Sequence, residues 1–329
     1  MTRLTFLGTG GGRFATIYQT RWTAGIYLDD GLRVNIDPGP GTLVRMKALA
    51  IDPTQTDVLL VTHGHPDHYT DAEVMIEAMT KGGTVKKGTI LASKSVIEGA
   101  NGYPPPVSRF FGEKATMFRA MVPGDKVTVG HMAFEATPSM HSDLTAIGFK
   151  VYTKNGIISC VCDTQYFEGL SKAHAGCRLL ILPVMRPLGS RIQYHLSVED
   201  AATIINEVAP EATFLNHFGL KMVRADIERQ VRWLREQTKS KVWAARDSTV
   251  LDIKTEINQG LRAERGGGGQ GGGGRRRRRG RGRRGQGNHE HSQGRPDTPG
   301  TQQSQPAQGP GPSSQTQEKE PDPQPQKAT

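Results

Sequence analysis

The sequence predicts an α/β fold whose strand ends carry the polar chemistry, followed by a disordered Gly/Arg-rich C-terminal tail. Three observations lead there. Short β-branched or alternating apolar runs recur through the first 265 residues, and several end on an Asp or a His. A stretch with helical apolar spacing follows one such run. Near residue 265 the composition turns abruptly to Gly, Arg, Gln and Pro.

Thr2-Arg3-Leu4-Thr5-Phe6-Leu7 reads as the first strand, with no signal peptide before it. Gly8-Thr9-Gly10-Gly11-Gly12-Arg13 follows it. That loop lacks the Lys-Ser/Thr of a phosphate-cradling loop, so it is read as a tight connection. Leu32 to Ile36 alternates like a half-buried strand, ends on Asp37 and is broken by Pro38-Gly39-Pro40-Gly41. Val58-Leu59-Leu60-Val61 reads as a buried strand, and His63-Gly64-His65-Pro66-Asp67-His68 follows it directly. Gly102 to Pro106 and Arg109-Phe110-Phe111 suggest a semi-rigid loop packing over the core, with a substrate wall as the alternative. Met132 to Ala136 leads through a Pro-Ser turn to His141, and Gly156 to Cys162 leads to Asp163. After Tyr194-His195-Leu196, Ser197 is a good helix N-cap, with Asp200 three residues on. Ala201, Ile204, Ile205 and Val208 then recur at helical spacing. Thr213 to Asn216 leads to His217. His131 and His174 lack comparable context and are expected at the surface.

His63, His65, Asp67 and His68 place four potential ligands within six residues. Imidazole nitrogens and carboxylate oxygens are the donors a catalytic zinc takes. A lone His or Asp after a strand is usually a turn residue or a helix cap. Here Asp37, the His63 to His68 segment, His141, Asp163 and His217 all stand at the C-terminal ends of predicted strands. In layered α/β proteins, sites are assembled along that edge.

With these residues in this order, the chain resembles the metallo-β-lactamase-fold hydrolases over roughly residues 2–253. The resemblance implies an αββα sandwich over a domain of residues 1–265, with a dinuclear metal site at one edge. By that resemblance His63, His65 and His141 would hold one metal. Asp67, His68 and His217 would hold the second, Asp163 would bridge them, and Asp37 would orient a ligand by hydrogen bonding. Two divalent cations are implied, zinc by default from the donor types, with Mn and Fe as alternatives. His195, between Asp163 and His217, resembles the non-ligand histidine of phosphodiesterase branches, including ribonuclease Z. There it assists the leaving group.

The expected function is therefore a metal-dependent phosphodiesterase, with RNA among its candidate substrates. A hydroxide activated by two metals would attack phosphorus, Asp67 would orient it, and His195 would be the general acid. The resemblance to ribonuclease Z is incomplete. His141 and Asp163 stand too close for that family's long tRNA-binding arm. Leu180 to Pro187 shows no His-Glu-Ala-Thr segment, and so offers His195 no acidic partner. Two other functions remain open: a carboxylic ester, lactone or thioester hydrolase, and a nucleic-acid-binding protein with a structural metal site.

Composition sets further bounds. No apolar run is long enough to span a bilayer, so no membrane association is expected. Cys160, Cys162 and Cys177 make an odd set. Buried thiols in a reducing cytoplasm are expected, with a C-x-C metal site as the alternative. A homodimer is left open. The segment 266–329 has too little apolar surface to offset the entropy of ordering. It carries eleven Lys+Arg against five Asp+Glu, a net of +6 out of a whole-chain +10. The cluster Arg275 to Arg284 suits nonspecific contact with nucleic-acid phosphates, with a merely solubilising extension as the alternative. His289 and His291 fall in the same tail.

Overall fold

The computed structural model describes residues 1–100 and 102–259. The expected tail, with Arg275 to Arg284, His289 and His291, lies outside the described residues. Six strands build most of a first sheet: β1 (Arg3–Phe6), β2 (Ile26–Asp29), β3 (Arg33–Ile36), β4 (Val58–Val61), β5 (Thr89–Ser93) and β6 (Met117–Met121). The second sheet takes the next eight. These are β7 (Lys126–Val129), β8 (Met132–Pro138), β9 (Ile147–Thr153), β10 (Gly156–Cys160), β11 (Leu179–Arg186), β12 (Leu196–Ser197), β13 (Ala212–Asn216) and β14 (Lys241–Ala244). A last strand, β15 (Val250–Asp252), returns to the first sheet beside β1. The sheet orders are β15-β1-β2-β3-β4-β5-β6 and β14-β13-β11-β10-β9-β8-β7, with the short β12 alongside β11. None of the described helices is long and apolar enough to cross a membrane.

Strand alternation explains the layering. Successive side chains point to opposite faces. Val58 and Leu60 of β4 join Phe134, Phe149, Ile181 and Phe214 in the core between the sheets. Leu59 and Val61 turn outward onto Met75, Ile76 and Met79 of helix Ala72–Met79. On the other sheet Leu179 and Ile181 face inward, while Leu180 and Leu182 meet helices Val198–Val208 and Ile227–Gln237. The central strands are apolar on both faces because both faces are covered. The result is the expected αββα sandwich.

Helix Val198–Val208 starts with the predicted capping box. Ser197 accepts from the Asp200 amide, and Asp200 accepts from the Ser197 amide. One surface expectation needs correction. His174 is fully buried, with Nδ1 2.7 Å from Ser159 Oγ, and burial beside Lys150 pushes its pKa down to about 3. The residue that receives His174, Ser159, lies on β10, 15 positions earlier in the chain, a contact that local sequence did not reveal. His131 is exposed as expected, though its Nε2 reaches Asp30. Of the aromatic pair in the 102–111 segment, Phe111 packs on the outer core and Phe110 faces solvent. Cys160, Cys162 and Cys177 are all buried free thiols.

Candidate metal centre

Register brings the expected site residues to one edge. β3 and β4 run parallel with Ile36 opposite Leu60, so Asp37 and Thr62 leave their strands side by side. In the second sheet Ala136, Phe149, Cys160, Ile181 and Phe214 lie at one level across β8 to β13. The segments leaving β8, β10 and β13 therefore deliver His141, Asp163 and His217 to the same side. The sheets join there through backbone bonds from Ile147 to Thr62, and between the Thr9–Gly11 loop and Phe218.

Local structure then aims each side chain. His65 precedes the short helix Pro66–Tyr69, with Pro66 at its first position. Proline suits that position because its missing N–H would have no partner there. Asp67 and His68 sit in that helix and face the site. The glycine loop after β1 is the expected tight connection, and the Gly12 amide donates to Asp67 Oδ2 at 2.7 Å. A Cβ on Gly11 would stand 2.2 Å from the His217 ring, so only glycine fits. Asp37, Tyr194 and His217 all hold positive φ, a conformation that costs non-glycine residues energy and persists where the surroundings impose it.

Among the described residues, three overlapping groups bring donor atoms within 4.8 Å of one another: His63 with His65 and His141, His63 with His68 and Asp163, and Asp67 with His68 and His217. None includes a cysteine, so the C-x-C alternative finds no support. His65 Nδ1 lies 3.0 Å from His63 Nε2 and 3.1 Å from His141 Nε2. One hydrogen on His65 could serve only one of those nitrogens. Ligands of a tetrahedral zinc, at about 2.0–2.1 Å from the metal, stand about 3.3 Å apart. His217 Nε2 is 3.2 Å from Asp67 Oδ2, from Asp163 Oδ1 and from His68 Nε2. Asp163 Oδ1 is buried yet accepts no hydrogen bond. Such donor sets fit cations.

The surroundings fix the rings. Asp37 accepts from the Thr62 amide at 2.8 Å and from His68 Nδ1 at 2.9 Å, which turns His68 Nε2 to the site. His141 Nδ1 donates to the Tyr194 carbonyl at 3.0 Å, which turns Nε2 inward. Metal-binding imidazoles characteristically use their second nitrogen this way. Asp143 was not singled out from sequence. Its Oδ2 accepts from the Gly64 amide at 2.9 Å and from Ser95 Oγ, and its Oδ1 from Thr145. It thereby ties the His63-Gly64-His65 turn to the loop carrying His141. The only signal in the sequence is its position two residues after His141.

Electrostatics divides the cluster. Burial, then the neighbouring imidazoles, pushes His63 well below the ordinary histidine value and lowers His65. Burial also opposes charge on His68, but Asp67 and Asp37 outweigh it and hold that imidazole well above its ordinary value. Burial would raise Asp67, yet His68 and His217 hold it well below the usual carboxylate range. Asp163 is lowered too, since His217 and His68 outweigh its burial. His195 belongs to none of the three groups. Its Nδ1 is 3.6 Å from Asp163 Oδ2, and its ring lies 5.1 Å from that of His141. Burial pushes it down to about 4 against the pull of Asp163. The acidic neighbour that Leu180 to Pro187 does not offer is thus supplied by Asp163.

Residues 32–218 match the sequence profile of the beta-lactamase superfamily domain, more than half of the chain. The chain belongs to this superfamily. An uncharacterized protein of Methanocaldococcus jannaschii is 39% identical over 258 residues, 78% of this chain and 95% of its own. Ribonuclease Z of Pyrobaculum calidifontis is 35% identical over 99 residues, a local match covering 29% of this chain and 32% of that protein. The metallo-beta-lactamase fold protein YhfI of Bacillus subtilis shares the fold with a TM-score of 0.64 at 17% identity, over 76% of this chain and 98% of its own. As a superfamily member with this fold and these His/Asp groups, the protein is a metallo-hydrolase.

Proposed function

We propose that the protein is a phosphodiesterase acting through two metal ions. His63, His65 and His141 would hold one, Asp67, His68 and His217 the other, and Asp163 would lie between them. Zinc suits the nitrogen and carboxylate donors, and Mn or Fe are accepted by similar sets. Bound there, two cations supply Lewis acidity toward a phosphoryl oxygen and lower the pKa of a water.

The observation that carries the phosphodiester reading is His195. It stands beside the metal-capable groups without joining them, where a proton is needed rather than a ligand. An alkoxide leaving from phosphorus is strongly basic and gains from a proton delivered as the bond breaks. His195 would hold that proton. Burial leaves the imidazole neutral, but a phosphodiester anion drawn up beside it favours the protonated form. Asp67, anchored by the Gly12 amide, would orient the attacking water. Asp37 would keep His68 turned inward. The local match to ribonuclease Z supports the same class of chemistry.

The test compares metal-loaded protein on bis-p-nitrophenyl phosphate and on a panel of lactones and carboxylic esters. Preferential diester hydrolysis is expected; turnover of the lactones or esters alone would reverse the reading. His195→Ala should keep its metal and lose on the order of 10²-fold or more in diester rate, the worth of a general acid. The loss should shrink as the leaving group improves. A uniform loss across a leaving-group series would remove His195 from that role.

A further inference from the structure

A cavity of about 430 Å³ opens against the His141 side of the cluster, away from the Gly12–Asp67 contact. Its walls include Met140, His141, Leu144, Phe167, Gln193 and Tyr194. None of its lining residues is Lys, Arg, Asp or Glu. Leu144 is 78% exposed and Met140 43%, an apolar surface that the fold itself leaves uncovered.

The wall is built into the site. His141 Nδ1 donates to the Tyr194 carbonyl, and the Tyr194 amide donates to Gln165 Oε1 at 3.1 Å. The Gln165 amide in turn donates to the Met140 carbonyl at 3.1 Å. Tyr194 is held at φ 66°, and the next residue is His195. His195, proposed above to protonate the leaving oxygen, does not line the cavity, but it directly follows the lining residue Tyr194, and its ring lies 5.1 Å from that of the lining residue His141. A substituent on that oxygen has this wall within reach on the His141 side.

We infer that this cavity is the leaving-group subsite and takes the nucleobase of a departing nucleoside. The inference rests on the phosphodiester reading. A charged substituent would find no counter-charge among the lining residues. A bare sugar would waste the apolar surface of Met140 and Leu144. A fatty chain would waste the amide of Gln193, which offers both donors and an acceptor. A base uses both: ring faces stack on aromatic or apolar side chains, and its edge pairs with polar groups.

The test measures inhibition of bis-p-nitrophenyl phosphate hydrolysis by adenosine, uridine and ribose, using full-length, metal-loaded protein. Nucleosides carry no phosphate, so they report on the subsite rather than on the metals. At least one nucleoside should inhibit at a concentration roughly tenfold or more below that of ribose, the scale of one base stack. Leu144→Ala and Gln193→Ala should each erase most of that difference. Both residues are exposed, so metal content and folding serve as internal controls. Equal inhibition by ribose and both nucleosides would overturn the inference. So would a preference that neither variant alters. No hydrolysis of any phosphodiester would overturn the phosphodiester reading and this inference with it, an outcome distinct from hydrolysis without base preference.

Discussion

The two halves of the cluster are built to opposite electrostatic plans. His63, His65 and His141 form a patch of imidazoles in which burial, followed by neighbouring imidazoles that include His68 and His141, holds His63 and His65 below their ordinary value. Asp67, His68 and His217 include a carboxylate, and His68 also faces Asp37, so a proton is favoured on it. Each half has its own carboxylate behind it: Asp143 grips the Gly64 turn on one side, and Asp37 grips His68 on the other. The contrast teaches that two neighbouring groups of similar donors, if each takes a metal as proposed, need not load alike. In that reading the lowered His63 and His65 would meet a cation without a proton to displace, whereas the raised His68 would first have to give one up.

The largest expected effect removes what the halves share. Asp163 lies 3.2 Å from His217 Nε2, 3.8 Å from His68 Nε2 and 3.6 Å from His195. Asp163→Ala should lower occupancy of both ions and reduce hydrolysis by more than the roughly 10–100-fold typical of residues that only support a ligand. Metal analysis after gel filtration, together with diester turnover, measures this. An active Asp163→Ala protein without bound metal would break the whole scheme.

Single-sided changes come next. Asp143→Asn should weaken the first-released or last-released ion at the His63/His65/His141 group by roughly 10–100-fold, and Asp37→Asn should do the same at the His68 group. Chelator competition on each variant, with cobalt as a spectroscopic probe, assigns the loss to one group. If both variants weaken both ions equally, the halves act as one unit and the comparison fails.

The pH response should be smaller and should fall mainly on one group. Below its raised value His68 carries a proton that a cation must displace, so affinity at its group should rise with pH, by up to about tenfold per pH unit for one proton. His63 and His65 are lowered and already neutral near pH 7, so affinity at their group should change little above it. Parallel slopes for the two ions would erase the distinction. The smallest effect concerns neither half. Removing residues 266–329 should leave small-diester turnover and metal content unchanged, while affinity for two unrelated RNAs falls alike and loses salt dependence. Equal affinities and slopes with and without the segment would leave Arg275 to Arg284 no part in RNA binding.

Much of this was legible residue by residue. Asp37, His63, His65, Asp67, His68, His141, Asp163 and His217 stand out because polar donors directly after apolar strands are chemically conspicuous, and the strand ends carry them to one edge. The Ser197–Asp200 cap was legible because capping is a local hydrogen-bond exchange over three residues. The burial of His174 was not legible, since nothing nearby in sequence shows the sheet that covers it. Asp143 was missed because an Asp in a loop usually reads as a turn residue, and its partner Gly64 lies 79 positions away.

By itself, the sequence determined the strand-end donors, the layered class and the point where composition changes, because periodicity and residue chemistry are local properties. Only the tertiary structure decided which donors face one another, why His68 is raised above its ordinary value while His63 is lowered, and that a cavity whose lining lacks Lys, Arg, Asp and Glu opens at His141 and Tyr194. Those depend on distances of a few ångströms between segments far apart in the chain. Burial and charge set such energies only once the sheets have docked.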